Sequence, residues 1–154
     1  MPWVNPVFDR AITDINNRTA KGFFNVVDWT RINDNTAEVK ASILSILGLN
    51  VSTVTLTAPT TSLHPAASSI NALIVNIELV RVGASLPMAV GLVDLKQDYQ
   101  AGNGTVAPNY VDVNDWERNL NLIYTLLPNT ANYKVYCGVA AVGQPRFWQN
   151  RFRG

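Results

Sequence analysis

FFNVVDWTRINDNTAEV, residues 23–39, and YVDVNDWERNLNLIYTL, residues 110–126, align without a gap. At one constant offset, 112 − 25 = 87, Asn25 falls on Asp112, Val26 on Val113, Asp28 on Asp115, Trp29 on Trp116 and Arg31 on Arg118. The repeated Asp-Trp-x-Arg reads as a repeated helix start. Asn25 is a residue type that accepts from the free N–H groups of a first turn, and Asp28 stands at the third helical position, where the helix dipole favours a carboxylate. The spacing predicts a helix from Val26. Trp29, Ile32, Thr36, Val39, Ile43 and Leu47 then recur every three or four residues as one apolar stripe that ends at Gly48. The second copy predicts a helix over 112–127, with Asp112 as cap, Asp115 in the first turn, and Trp116, Leu120, Ile123 and Leu127 buried before Pro128 stops it.

Outward from these copies, LHPAASSINALIVNIELVRVG carries a fainter one at an offset of 41, with Ile70 on Trp29, Leu73 on Ile32, Asn76 on Asn35 and Val80 on Val39. It too reads as a helix. Upstream, DRAITDINNRTAKG puts Ile12, Ile15 and Thr19 on one side of a helix over about 10–21 that Gly22 terminates. VSTVTLT (51–57) and KVYCGVAAV (134–142) are rich in β-branched residues and read as strands, and RFWQNRF (146–152) follows a Gly-Gln-Pro turn as a hairpin. The expectation is an α+β, helix-dominated single domain over 1–154. It has about four helices, a helical pair over 10–48, a repeat-like helix over 112–127, a small antiparallel β element and a C-terminal β arm over 134–154.

The composition fits one core: 154 residues, 47% hydrophobic and 15% charged. A net charge of +1 gives no reason to expect nucleic acid or anionic lipid as a partner. Cys137 is the single cysteine, which excludes an internal disulfide and a thiolate zinc cluster. The start, MPWVNPVFDR, lacks the basic-then-apolar pattern of an export signal, and no run approaches the length of a membrane span.

Asn25, Asp28, Trp29, Asp112, Asp115 and Trp116 read as helix caps and core anchors. Arg31 and Arg118 either reach solvent or a nearby carbonyl or are candidates for partner contacts, Arg and Trp being common interface anchors. The run WVNPVFDRAITDI…KGFFNVVDWTRINDNTAEV resembles the N-terminal segment of a family of small structural proteins from tailed phages and prophages of Gram-positive bacteria. These open with Trp-Val-x-Pro and Asp-Arg, then carry Gly-aromatic-x-Asn-x-x-Asp-(apolar)-x-Arg-Ile-x-x-Asn. The match is nearly complete over residues 3–39, with Trp29 where Leu is commoner, and partial beyond. The resemblance implies a tail or baseplate component, made in the host cytoplasm and carried in the virion, with other virion proteins and copies of itself as partners.

No enzyme signature stands beside this. His64 is the single histidine and precedes a proline at a helix start, Asp94 and Asp98 lack a substrate-binding aromatic run, and AGNGTV lacks the Lys-Ser/Thr ending of a phosphate loop. No metal or cofactor is expected. In the terminal PRFWQNRFRG, Arg146, Phe147, Trp148, Arg151 and Phe152 read either as an edge strand whose aromatics pack inward or as candidates for a docking arm, with three arginines too few for a nucleic-acid surface. The alternative function is a host-binding adhesin with a groove for cell-wall saccharide built from Trp3, Tyr99, Tyr110 and Tyr133. Assembly is favoured because Trp and Arg fall at helix starts rather than in loops.

Overall fold

A computed structural model describes residues 2–60, 65–86, 91–100 and 108–142, the last thirteen of these as helix backbone alone. Its helices are α1 (Ile12–Asn16), α2 (Val26–Leu47), α3 (Ala67–Gly83) and α4 (Tyr110–Val142), with a 3-10 turn at Ala20–Gly22. The helix expected over 10–21 is thus a short α1 and a separate turn. Ile12 is 53% exposed, so the apolar face expected there does not form. Gly22 does not simply end a helix: a Cβ there would lie 2.6 Å from the Asp14 carbonyl carbon, so only glycine lets the two turns close on each other.

α2 starts and stops where its sequence predicts. The Asn25 side chain accepts from the Val27 and Asp28 N–H groups, Asp28 returns the bond to the Asn25 N–H, and Gly48 ends the helix at φ 68°. α4 repeats this box, but three residues earlier than the alignment of the tryptophans suggests. Asn109 Oδ1 accepts from Val111 and Asp112, and Asp112 accepts from the Asn109 N–H at 2.8 Å. Asp112 is therefore the reciprocal carboxylate, equivalent to Asp28, and Asn109 is the cap. Asp115 lies beyond the box.

The corrected offset is 84 (109 − 25), and it organises the core. Buried positions on α2 fall at Trp29, Ile32, Thr36, Val39 and Ile43; on α3 at Ile70, Leu73, Ile77, Val80 and, just past its end, Ala84; on α4 at Val113, Trp116, Leu120, Ile123 and Leu127. Each series has the alternating three-four spacing of a coiled-coil seam, and the series superpose position for position. Trp29 and Trp116, each 1% exposed, occupy successive layers, so no layer has to hold two indoles. Phe24 packs on both, at 6.4 and 5.6 Å between ring centroids, and Tyr99 meets Trp116 edge-on at 6.0 Å.

The three long helices run in the same direction. Arg31 near the start of α2 reaches Glu117 near the start of α4, and a Cβ on Gly83 at the end of α3 would lie 3.6 Å from Ile43 Cδ1 near the end of α2. Parallel helices need return connections, and the described parts of these are neither regular helix nor strand. VSTVTLT, expected to be a strand, is irregular chain instead, and the described residues contain no β-strand. Nor does Pro128 stop α4, which runs on to Val142 through the segment expected to be a strand; the proline forfeits one backbone bond, to the Tyr124 carbonyl. A short β-branched run cannot be told from helix by spacing alone. The expected hairpin over 146–152 lies outside the described residues.

Candidate functional site

The return segments are held by asparagines that behave like fragments of a missing strand. Asn35 Oδ1 accepts from the Val4 N–H at 2.9 Å, and its Nδ2 donates to the Val4 carbonyl at 2.7 Å. Asn76 grips both polar groups of Val54 at 2.8 Å, and Asn119 those of Val93 at 2.9 and 2.7 Å. These three asparagines occupy one equivalent position on α2, α3 and α4. Five residues earlier on α3 and α4, Asn71 clasps Tyr99 and Asn114 clasps Arg10 in the same way. The matching position on α2 is Thr30, which is exposed. A primary amide offers one acceptor and one donor in the geometry of a peptide group, so each clasp satisfies both backbone groups of an extended residue without a neighbouring strand.

The segment over 2–10 thus crosses from α2 to α4, and that over 91–100 from α4 to α3. At the α2–α4 crossing lies a buried cluster of charges. Arg10 Nη2 reaches Asp28 Oδ1 at 2.8 Å and Glu117 Oε1 at 2.9 Å. Arg31 forks onto Glu117 through Nε to Oε2 at 2.9 Å and Nη2 to Oε1 at 2.6 Å, and also touches Asp28 at 2.5 Å. The Val7 N–H donates to Glu117, and Arg10 Nη1 donates to the Val7 carbonyl. Two guanidinium groups and two carboxylates leave the cluster neutral. Burial opposes the charge on Arg31, but its bonds to Glu117 and then Asp28 hold its pKa above the usual guanidinium value. The Nε of Arg10 has no hydrogen-bond partner among the described residues.

A cavity of about 200 Å³ adjoins the cluster, lined by Arg10, Phe23, Phe24, Asn109 and Tyr110 among others. Its one charged wall residue is Arg10, already committed to Asp28 and Glu117, so the lining offers no carboxylate or imidazole to move a proton. No group of His, Cys, Asp or Glu suited to a metal ion occurs among the described residues, and among them no helix is long and apolar enough to cross a membrane.

The residues singled out in the sequence divide as follows. Asn25 and Asp28 form the expected cap, Trp29 and Trp116 the core. Arg31, a candidate for a partner contact, is instead inside the cluster with its side chain 11% exposed. Arg118 stays at the surface, 47% exposed and 3.6 Å from Asp115, whose carboxyl burial raises above its ordinary value. Arg146, Phe147, Trp148, Arg151 and Phe152 lie outside the described residues, as do His64 and the side chains of Tyr133 and Cys137. Of the rings expected to line a saccharide groove, Tyr110 lines the cavity and two others are turned to other uses. Trp3 stacks flat on Tyr124 at 4.1 Å, and Tyr99 is 3% exposed. Glu117 and the asparagine clasps escaped the sequence reading; the recurrence of Asn at 35, 76 and 119 was their one signal.

No protein-family model, curated protein or solved structure matches the chain.

Proposed function

We propose that this chain is a structural component of a phage tail or baseplate, working through contacts with other virion proteins and with copies of itself rather than through chemistry. What carries the reading is the job each residue of the phage-like motif has. Trp3 stacks on Tyr124, Val4 is clasped by Asn35, Arg10 and Arg31 meet Asp28 and Glu117, Gly22 closes a tight turn, and Asn25 caps α2. These residues of the motif spell a folding module, each engaged in the fold. The C-terminal Arg146, Phe147, Trp148, Arg151 and Phe152 remain the proposed docking arm, on their composition. The decisive experiment tags the chain in its native genome and seeks the tag in a cryo-EM map of released particles. Density in the tail or baseplate is the expected result; particles that assemble fully without the chain overturn the reading.

A further inference from the structure

The clasps follow one rule around the bundle. The segment over 2–10 is held first by Asn35 on α2, the long helix that follows it, and then by Asn114 on α4. The segment over 91–100 is held first by Asn119 on α4, again the helix that follows, and then by Asn71 on α3. In both, the clasped residues lie six apart (10 − 4 and 99 − 93). Val54 is held by Asn76 on α3, its own following helix, while the hydroxyl of neighbouring Thr53 accepts from Lys40 of α2 at 3.1 Å. The chain is thus three segment-and-helix units, and each passes its segment on to the helix of another unit. Nothing in such a contact requires the two partners to lie in one chain.

We propose that the α2–α4 groove is a docking site for residues 2–10 of a second copy of this chain, so that neighbouring subunits exchange these segments. The inference rests on the assembly reading above and names the contact it uses. Charge selects the occupant. Without residues 2–10 the groove holds Asp28 and Glu117 against Arg31 alone, one negative charge in excess, and Arg10 supplies the balancing cation. The positions equivalent to Glu117 are Asn33 on α2 and Ile74 on α3, and those equivalent to Arg10 are Thr60 and Tyr99, so this segment and this groove suit only each other. The covalent tie between them is long. Arg10 precedes Val26 by sixteen residues (26 − 10), whereas Tyr99 precedes Tyr110 by eleven (110 − 99). The tie consists of α1, none of whose residues is buried, and the turn at Ala20–Gly22. Drawn out, it spans roughly 50 Å. The exchanged contact is the one seen within the chain, with Trp3 on Tyr124, Val4 in the clasp of Asn35, and Arg10 between Asp28 and Glu117. Only the tether differs, so proximity sets the balance: dilute chains close on themselves, and subunits packed side by side in a particle exchange.

Charge reversal in full-length chains tests this. Arg10→Glu sets an acidic segment against an acidic groove, and Glu117→Arg a basic segment against a basic groove, so each variant alone repels its own residues 2–10. Mixed, the segment of each suits the groove of the other. Sedimentation equilibrium should show a heterodimer forming at about a tenfold lower concentration than either variant's self-association. Folded variants that stay monomeric together overturn the proposal. A second readout does not depend on how either variant folds. Chains carrying a nitroxide on Asn5→Cys, an exposed position, in a Cys137→Ala background are refolded from urea at about 1 mM together with 15N-labelled parent chains. In the dimer fraction the nitroxide should broaden the amide signals around Asn35 and Tyr124 of the labelled chain. The absence of any dimer fraction overturns the exchange, as does a dimer in which the broadening falls elsewhere. Neither readout bears on whether the tag appears in the particle, so the two readings fail separately.

Discussion

Arg31 and Glu117, 86 residues apart in sequence, form a two-pronged ion pair that ties the N-terminal parts of α2 and α4 together. Glu117 is fully buried, and it also receives Arg10 and the Val7 N–H. Removing it leaves two guanidinium groups facing Asp28 alone. Glu117→Ala should therefore cost about 3–5 kcal/mol, the usual penalty for stranding a buried charge. Arg31→Met with Glu117→Met should cost clearly less than the sum of the single changes, since the double variant removes a charge of each sign. Urea denaturation of the set decides it; strictly additive losses would show that the pair is not coupled.

The helix starts give a second prediction. Asn25→Ala and Asn109→Ala should each lower stability by about 0.5–2 kcal/mol, and the glycine variants by only a few tenths. Thermal melts in which Asn109→Ala matches the parent would mean that α4 does not begin at Tyr110.

Much of this fold was legible because helix caps and stripes are local. Asn25, Asp28 and Gly48 announce α2, and the burial of Trp29, Ile32, Val39 and Ile43 follows from their spacing. The offset was misread because tryptophan dominates an alignment by eye, while packing puts Trp29 and Trp116 one layer apart. The clasps were illegible for a different reason. An asparagine within a helix reads as a solvated position, and nothing local says that Val4, Val54 or Val93 will return to meet it from 22 to 31 residues away. The same non-local bonds explain why the described residues hold no sheet: residues 51–57 are β-branched, but Asn76 takes the backbone groups at Val54 that would have paired with a strand. The C-terminal part of α4 was misread because its apolar run fits either period.

Tyr99 gives the pH dependence. Burial first, and then the charge of Asp112, raise its hydroxyl above the ordinary phenol value of 10.0. The folded chain therefore keeps this proton to higher pH than the unfolded chain does. Above about pH 10 unfolding releases the proton, so stability is undiminished below that value and falls as pH rises from it toward the folded-state pKa. Phenolate absorbance should show a late-titrating step that Tyr99→Phe removes, and that variant should lose less stability in alkali. If all the tyrosines ionise together at the ordinary value, Tyr99 is not buried as described.

The clasps make the last prediction, and it separates this fold from one held by a sheet. The amides of Val4, Arg10, Val54, Val93 and Tyr99 lie outside every helix among the described residues, yet each donates to an asparagine Oδ1. They should exchange with deuterium far more slowly than amides of free extended chain, because a protected amide must wait for its clasp to open. Asn76→Ala should release the Val54 amide selectively and cost about 1–3 kcal/mol, since the Val54 carbonyl and N–H lose their partner together. Asn76→Asp keeps the acceptor for the N–H but sets a carboxylate against the carbonyl, so it should protect the amide less well than Asn and worse at neutral than at acid pH. Exchange of Val54 at the free-peptide rate in the parent protein would mean that the return segments are not clasped, and the parallel arrangement of α2, α3 and α4 would lose what holds its connections in place.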